Sequence, residues 1–295
     1  ALPISGDNQG NMWKFDLTSA DASNWGVAFS GQPLFTAQGP ASLNSTRTLP
    51  QSITAPPTVR ANDRKMTIGT GNDRKTVAIG GTMVAFGTGR NVTKADENNR
   101  NVQTIYSVLD NTRYNLITTS LGPRLQVNSG NASCTTPNGT CIPVPKALGA
   151  GVTTAGLAQQ TITELDNGQF GTVGASNDDN KLSASTWANY NGWYLDLPAV
   201  GERQLKPMEF YDGSNILAIY SQVPAKGTDV DPNVESCDSS TVDEERQYRT
   251  FINIMDGLRP SVQIVDKNND GLYNSLDLNV SRVKVSKGSH TLITQ

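Results

Sequence analysis

One histidine, three cysteines and a charged fraction of only 17% are all that 295 residues offer to the commonest site chemistries. With His290 alone near the end of the chain, neither a histidine-built zinc cluster nor a Ser-His-Asp triad has anything to assemble around, and His290 reads as a surface residue. The formal net charge is −3 and no basic stripe runs along the chain, so nothing is offered to neutralise a nucleic-acid backbone or dock an anionic membrane. No apolar run approaches the roughly 20 residues that cross a bilayer as a helix, so no membrane span is expected. Helical periodicity is almost missing. Gly69-Thr70-Gly71 and Gly87-Thr88-Gly89 therefore lack the following helix that a phosphate-cradling loop needs, and they read as β-turn glycines.

Against that background one stretch carries explicit chemistry, Asp266-Lys267-Asn268-Asn269-Asp270-Gly271-Leu272-Tyr273-Asn274-Ser275-Leu276-Asp277. Oxygen-bearing side chains fall on alternate positions, and a glycine stands where the backbone must turn sharply. Ca²⁺ is a hard cation that takes about six to eight oxygens, and this spacing supplies them from one segment. The expected ligands are Asp266, Asn268, Asp270, the Leu272 carbonyl and Asn274, with Asp277 at the twelfth position as an assisting ligand. The flanks 261–265 and 278–285 are rich in β-branched residues with polar ones interleaved, so the loop is expected to join two strands instead of two EF-hand helices. An Asn/Asp-rich turn without metal is the plain alternative.

The rest of the chain reads as all-β. Short strands bounded by glycine turns are expected around 4–17, 65–69, 76–79, 83–90 and 103–110, and the first of these is like half a propeller blade. Stretches 128–146, 167–191 and 226–246 read as insertions, and the remainder amounts to about four or five blades, at about 40–50 residues each. Cys134 and Cys141 bracket a Pro-Asn-Gly turn that suits a small loop-closing disulfide, with a reduced pair or a metal site as the alternatives; Cys237 is left over. Trp187, Tyr190, Trp193 and Tyr194 form an aromatic group that either stacks on a ligand or alternates into the core, the second being the ordinary behaviour of strands.

Five segments, GDNQGNMWKFDL, ITAPPTV, VAFGTGR, QTIYSVLDN and GWYLDLPAVGER, occur in this order and resemble the C-terminal domain of the PilC/PilY family of type IV pilus tip adhesins. The resemblance spans roughly residues 4 to 285. It implies a modified, quinoprotein-like β-propeller, present here as an incomplete set of blades over 1–295. It also implies an exported protein of the Gram-negative surface, with minor pilins at the pilus tip and a host-cell or surface receptor as partners. The family's calcium loop has the form Asp-x-Asn-x-Asp-Gly-x-x-Asp; Asp266, Asn268, Asp270 and Gly271 fit it, while Asn274 replaces the closing acid. The family usually places that loop before the GDNQGNMWKFDL-like strands, whereas here it closes the chain. The missing blades are expected from a preceding part of the same protein or from another chain. Two further readings stand beside the adhesin: a calcium-dependent quinoprotein-like oxidoreductase, since the propeller also hosts such enzymes, and a purely structural calcium-braced surface module.

Overall fold

The computed structural model of the chain describes residues 3–28, 31, 33–68, 70–78, 80–110, 114–127, 156–174, 190–225 and 245–285. Among these residues the strands gather into three larger sheets and three two-stranded hairpins, and the sheets do not close on one another, as in an incomplete propeller. The hairpins are Gln38–Pro40 with Arg47–Pro50, Lys65–Ile68 with Lys75–Ala78, and Tyr114–Thr119 with Gly122–Val127. Among the described residues helix is confined to single turns such as Lys94–Glu97.

The N-terminal sheet is built on a tight hairpin in which Ile4–Gly6 pairs antiparallel with Asn11–Asp16. Its turn is organised by Asp7, whose carboxylate accepts from the Gln9 and Asn11 backbone N–H groups at 2.8 Å and from Trp13 Nε1 at 2.8 Å. Gly10 completes the turn at φ 88, with Ala37 and Gln51 carbonyls so close that a Cβ would collide with them. Along Asn11–Asp16, Met12 and Lys14 are buried while their neighbours are half-buried, the period of two that a strand imposes.

The central sheet runs in the order Ala158–Gln160, Gly192–Asp196, Thr104–Asp110, Thr82–Gly87, Thr58–Ala61. Only its first pair is parallel. Four of the five motif segments thus meet in one sheet or at its ends. Every residue of Thr104–Asp110 is buried, and the sequence shows why: large apolar residues stand on both of its faces, Ile105 and Leu109 on one and Tyr106 and Val108 on the other. Alternate residues go to opposite cores. Met83, Ala85, Ile105, Leu109, Trp193 and Leu195 join one cluster, and Val84, Phe86, Tyr106, Val108 and Tyr194 join the other. The second cluster takes Met12, Leu34, Phe35 and Ile53 from the N-terminal layer, with Phe35 and Phe86 rings 5.1 and 5.3 Å from that of Tyr106. Each such fully buried side chain contributes about 1.5–3 kcal/mol of transfer free energy.

The C-terminal sheet runs Ile162–Leu165, Phe170–Val173, Arg282–Val285, Arg246–Asn253, Ile216–Val223, Glu209–Phe210. Leu217, Ile219 and Ile252 face the central sheet, while Ala218 and Phe251 face the other way, onto Ile264, Val265 and Val280. The face-to-face stacking of sheets is therefore continuous from the first hairpin to the last strand.

Several expectations change here. Among the described residues the strands amount to three larger sheets instead of four or five blades, and in one of them the late strand Arg282–Val285 inserts between Phe170–Val173 and Arg246–Asn253. Within the stretch 167–191, residues 167–174 are no insertion: Asp166 and Asn167 turn in the left-handed region and Phe170–Val173 is a strand of the C-terminal sheet. Likewise Arg246 begins a strand. Residues 261–264 are not a strand, and on the far side of the loop the strand begins only at Arg282, because Leu278 and Asn279 adopt φ 57 and 55 and turn the chain first.

Candidate metal centre

Residues 266–277 form a closed loop on the outer face of the C-terminal sheet, anchored by Ile264 and Val265 before it and Val280 after it. Its closure is made by carboxylates accepting the loop's own N–H groups. Asp266 accepts from Gly271 N at 2.9 Å and Asp270 N at 3.3 Å, which folds the first half around it. Asn268 Oδ1 accepts from Asp270 N at 3.1 Å, Asn268 Nδ2 donates to Asp270 Oδ2 at 2.9 Å, and Asp270 Oδ1 accepts from Leu272 N at 2.7 Å. Gly271 turns at φ 79, as its place in the pattern requires.

Asp277 clasps the two ends. Its Oδ1 accepts from Lys267 N at 2.8 Å and its Oδ2 from Asn274 N at 2.9 Å, and the Asn274 side chain returns a bond from Leu276 N at 2.8 Å, a capping box over the short turn Ser275–Asp277. Burial pushes the Asp277 carboxyl up, but the N–H groups of Asn274, Lys267 and Asn268 outweigh it and hold the group below the usual carboxylate range. Tyr273 is held above its ordinary value by burial and by the charges of Asp266, Tyr211 and Asp277.

The structure thus gathers all the predicted positions into one loop, with Asn268 and Asp270 exposed, and Asp266 and Asp277 buried. Among the described residues no three Asp, Glu, Cys or His side chains form a group that could hold a metal ion by themselves, so an ion here must also use amide and carbonyl oxygens. The donor set fits a hard cation in that respect. It fits in a second: Asp266 is 1% exposed, both of its hydrogen bonds are to backbone N–H, and among the described residues no Lys or Arg forms an ion pair with it. The next residue in sequence, Lys267, pairs with Asp166 at 2.8 Å. A buried carboxylate without a counter-charge is costly, and a bound cation removes that cost.

The loop is tied to the central sheet by charges whose burial the sequence does not announce. Arg282, five residues past Asp277, donates from both Nη atoms to the Glu202 carboxylate at 2.8 and 2.9 Å, and both side chains are excluded from water. Ser221 Oγ donates to the same carboxylate at 2.5 Å. Beside it, Arg203 is buried among backbone carbonyls, donating to those of Arg90 and Asp96 at 2.7 Å and of Asn99 at 2.8 Å. Two other motif carboxylates pair across the core in the same way: Asp110 with Lys14, and Asp196 with Arg47 at 2.7 Å. Burial pushes the Tyr106 hydroxyl beside Arg47 up to about 12.

The aromatic group belongs to the core. Trp193 is fully buried, Tyr194 nearly so, and Tyr190 packs against the same cluster, while Trp187 lies outside the described residues. So do Cys134, Cys141, Cys237 and His290.

Comparison with known proteins adds three findings. The model of the PilY1 beta-propeller domain matches residues 2–129. The type IV pilus biogenesis factors PilY1 of Pseudomonas aeruginosa strains PAO1 and PAK are each 27% identical over 308 residues, covering 94% of this chain; the chain spans about a fifth, 22%, of their length. The crystal structure of the Pseudomonas aeruginosa PilY1 C-terminal domain aligns with a TM-score of 0.53 and 22% identity over 96% of this chain and 51% of that one, a likeness of fold.

Proposed function

We propose, from the similarity to the PilY1 beta-propeller domain and to the PilY1 relatives, that the chain is the calcium-binding propeller module of a type IV pilus biogenesis factor. On this reading it is a part of an exported surface protein that supports pilus assembly, restrains retraction and takes part in attachment. It works by binding and bracing instead of by catalysis; the relatives are named as biogenesis factors. Sequence beyond this chain, or another chain, supplies the blades that complete the ring, and minor pilins and a receptor are its partners.

The observation that carries the calcium reading is the buried Asp266 carboxylate, which has no ion-pair partner among the described residues, at the first position of a twelve-residue oxygen-donor loop. Asp266, Asn268, Asp270, the Leu272 carbonyl and Asn274 hold the ion, and Asp277 supports them by fixing the backbone from which they project. The metal supplies charge neutralisation; the residues supply position. Because the ion binds the folded loop only, calcium stabilises the domain by mass action. The Cys134–Cys141 disulfide, suited to the same oxidising exterior, belongs to this proposal.

The test has two readouts. Purified protein stripped with chelator and titrated with calcium is expected to melt higher as calcium rises, and Asp266→Ala with Asp270→Ala is expected to remove that rise. In cells, the same pair of substitutions in the full-length protein should reduce piliation or alter twitching. A double variant that keeps the wild-type calcium shift overturns the site, and unchanged piliation and twitching with the shift abolished overturns the regulatory role.

A further inference from the structure

Away from the metal loop the chain carries a short tandem repeat: Asn62-Asp63-Arg64-Lys65 returns ten residues later as Asn72-Asp73-Arg74-Lys75. The copies lead into the two strands of the hairpin Lys65–Ile68 with Lys75–Ala78, the first at its base and the second at its tip, and among the described residues this hairpin joins no larger sheet. We propose that the second copy is a docking site for a partner protein whose surface presents an Asp or Glu carboxylate beside an Asn or Gln carboxamide.

The first copy is used by the fold. Asn62 is buried; its backbone N–H donates to the Gly81 carbonyl at 2.9 Å and its Nδ2 to that of Gly80 at 3.0 Å, which closes the neck of the hairpin. Its Oδ1 accepts from Arg64 N at 3.1 Å. Asp63 accepts from Asn215 Nδ2 at 2.7 Å, and Arg64 donates to the Asp256 carboxylate at 2.5 Å, both partners standing where Ile216 and Asn253 pair at one end of the C-terminal sheet. The second copy has the same four residue types and none of these bonds. Residues 70–76 are all exposed, and their turn is held by backbone alone, Asp73 N donating to the Thr70 carbonyl at 3.1 Å and Arg74 N to that of Gly71 at 3.4 Å. Among the described residues the side chains of Asp73, Arg74 and Lys75 make no ion pair and no hydrogen bond.

The chemistry of the partner follows from the contrast. In the first copy an acid accepts from a carboxamide while the neighbouring guanidinium donates to a carboxylate, so the fold itself displays what this set of side chains binds. There the chain supplies both partners; at the tip they come from outside, and a second molecule of this chain already holds its own Asn215 and Asp256 with its own first copy. The tip charges are few and of both signs, Arg74 and Lys75 beside Asp73. A polyanion binds by exchanging many counterions for cations and gains little here, whereas a protein surface offers the alternating donors and acceptors that the tip complements. The closed neck holds the hairpin in place beforehand, so less freedom is lost on docking.

Backbone amide resonances of residues 70–76 in the whole chain, followed during titration with a peptide of alternating aspartate and asparagine, test the site. Alginate at matched carboxylate concentration and phosphatidylglycerol vesicles are the polyanion and membrane arms. Saturable shifts centred on the tip are expected with the peptide, and weaker binding with the other two. Arg74→Gln and Lys75→Gln should each weaken peptide binding about twofold to fivefold, the range of an exposed ion pair, with no change in melting temperature. Arg64→Gln in the first copy should do the reverse, lowering the melting temperature by stranding Asp256 while leaving peptide affinity as it was. The proposal fails if the tip resonances do not move with the peptide, if alginate or the vesicles bind as tightly as the peptide, or if the double variant Arg74→Gln with Lys75→Gln binds the peptide like the wild type.

Discussion

Arg282 and Glu202 stand 80 residues apart in sequence and face each other as a two-pronged ion pair, with hydrogen bonds of 2.8 and 2.9 Å, wholly out of water. Tyr248 lies under the guanidinium at 4.0 Å and Thr250 Oγ1 accepts from it at 3.2 Å, so neither charge can move to solvent without opening the sheet. Glu202→Gln should therefore strand Arg282 and destabilise the fold by about 3–5 kcal/mol. Adding Arg282→Met should return much of that loss. Urea midpoints at constant slope measure both, and a double variant as unstable as the single one would show that the pair is not the source.

The loop predicts a division of labour. Asp270 is exposed and bonded only within the loop, so Asp270→Ala should leave the calcium-free melting temperature nearly unchanged while removing the rise with calcium. Asp277 is the clasp, so Asp277→Asn should destabilise the calcium-free protein as well, by about 1–3 kcal/mol, because its amide cannot accept at both oxygens the bonds that Lys267 and Asn274 donate. Differential scanning calorimetry with chelator separates the two. Equal chelated stabilities of wild type and Asp277→Asn would return Asp277 to a ligand's role alone.

Asp96 gives a pH dependence with a definite sign. Burial pushes it up, yet bonds from Val92 N, Thr93 N and Thr93 Oγ1, with Arg90 beside it, bring the folded pKa down to about 2 from an ordinary 3.8. Its stabilisation is complete above the ordinary value and is lost as pH falls from 3.8 towards 2. The stability difference between wild type and Asp96→Asn should be constant above that window and shrink within it, as read from urea midpoints across pH. A difference that grows on acidification would contradict the assignment.

Gly192 opens the strand of the GWYLD segment at φ 131, and a Cβ there would come within 2.0 Å of the Ser107 carbonyl in the neighbouring strand. Gly192→Ala combines backbone strain with overpacking and should cost about 2–4 kcal/mol. Gly213→Ala, also at positive φ but with open space around it, should cost clearly less, which isolates the steric part. Thermal melts of the two variants make the comparison.

Much of this protein is legible in its residues alone. The alternation in NMWKFD, the apolar pairs Ile105-Tyr106 and Val108-Leu109 of TIYSVLD and the glycine turns specify strands, since backbone sterics and burial act over neighbouring positions. The oxygen spacing of 266–277 specifies a closed loop for the same reason: its hydrogen bonds join residues at most ten apart. What only the tertiary structure decided is which strands become neighbours, and what the charged residues of the motifs are for. Nothing near Arg282 in sequence says that its strand will lie beside Arg246–Asn253, or that Glu202 will meet it. Lys14, Asp110, Arg203 and Glu202 read along the chain as ordinary solvated charges, and their burial depends on partners about 80 to more than 100 residues away. Asp277 likewise reads as an extra ligand by position, while the fold engages both its oxygens with backbone donors. Local pattern fixes local structure because its forces are local; the pairing of distant charges depends on registers that exist only once the sheets have assembled.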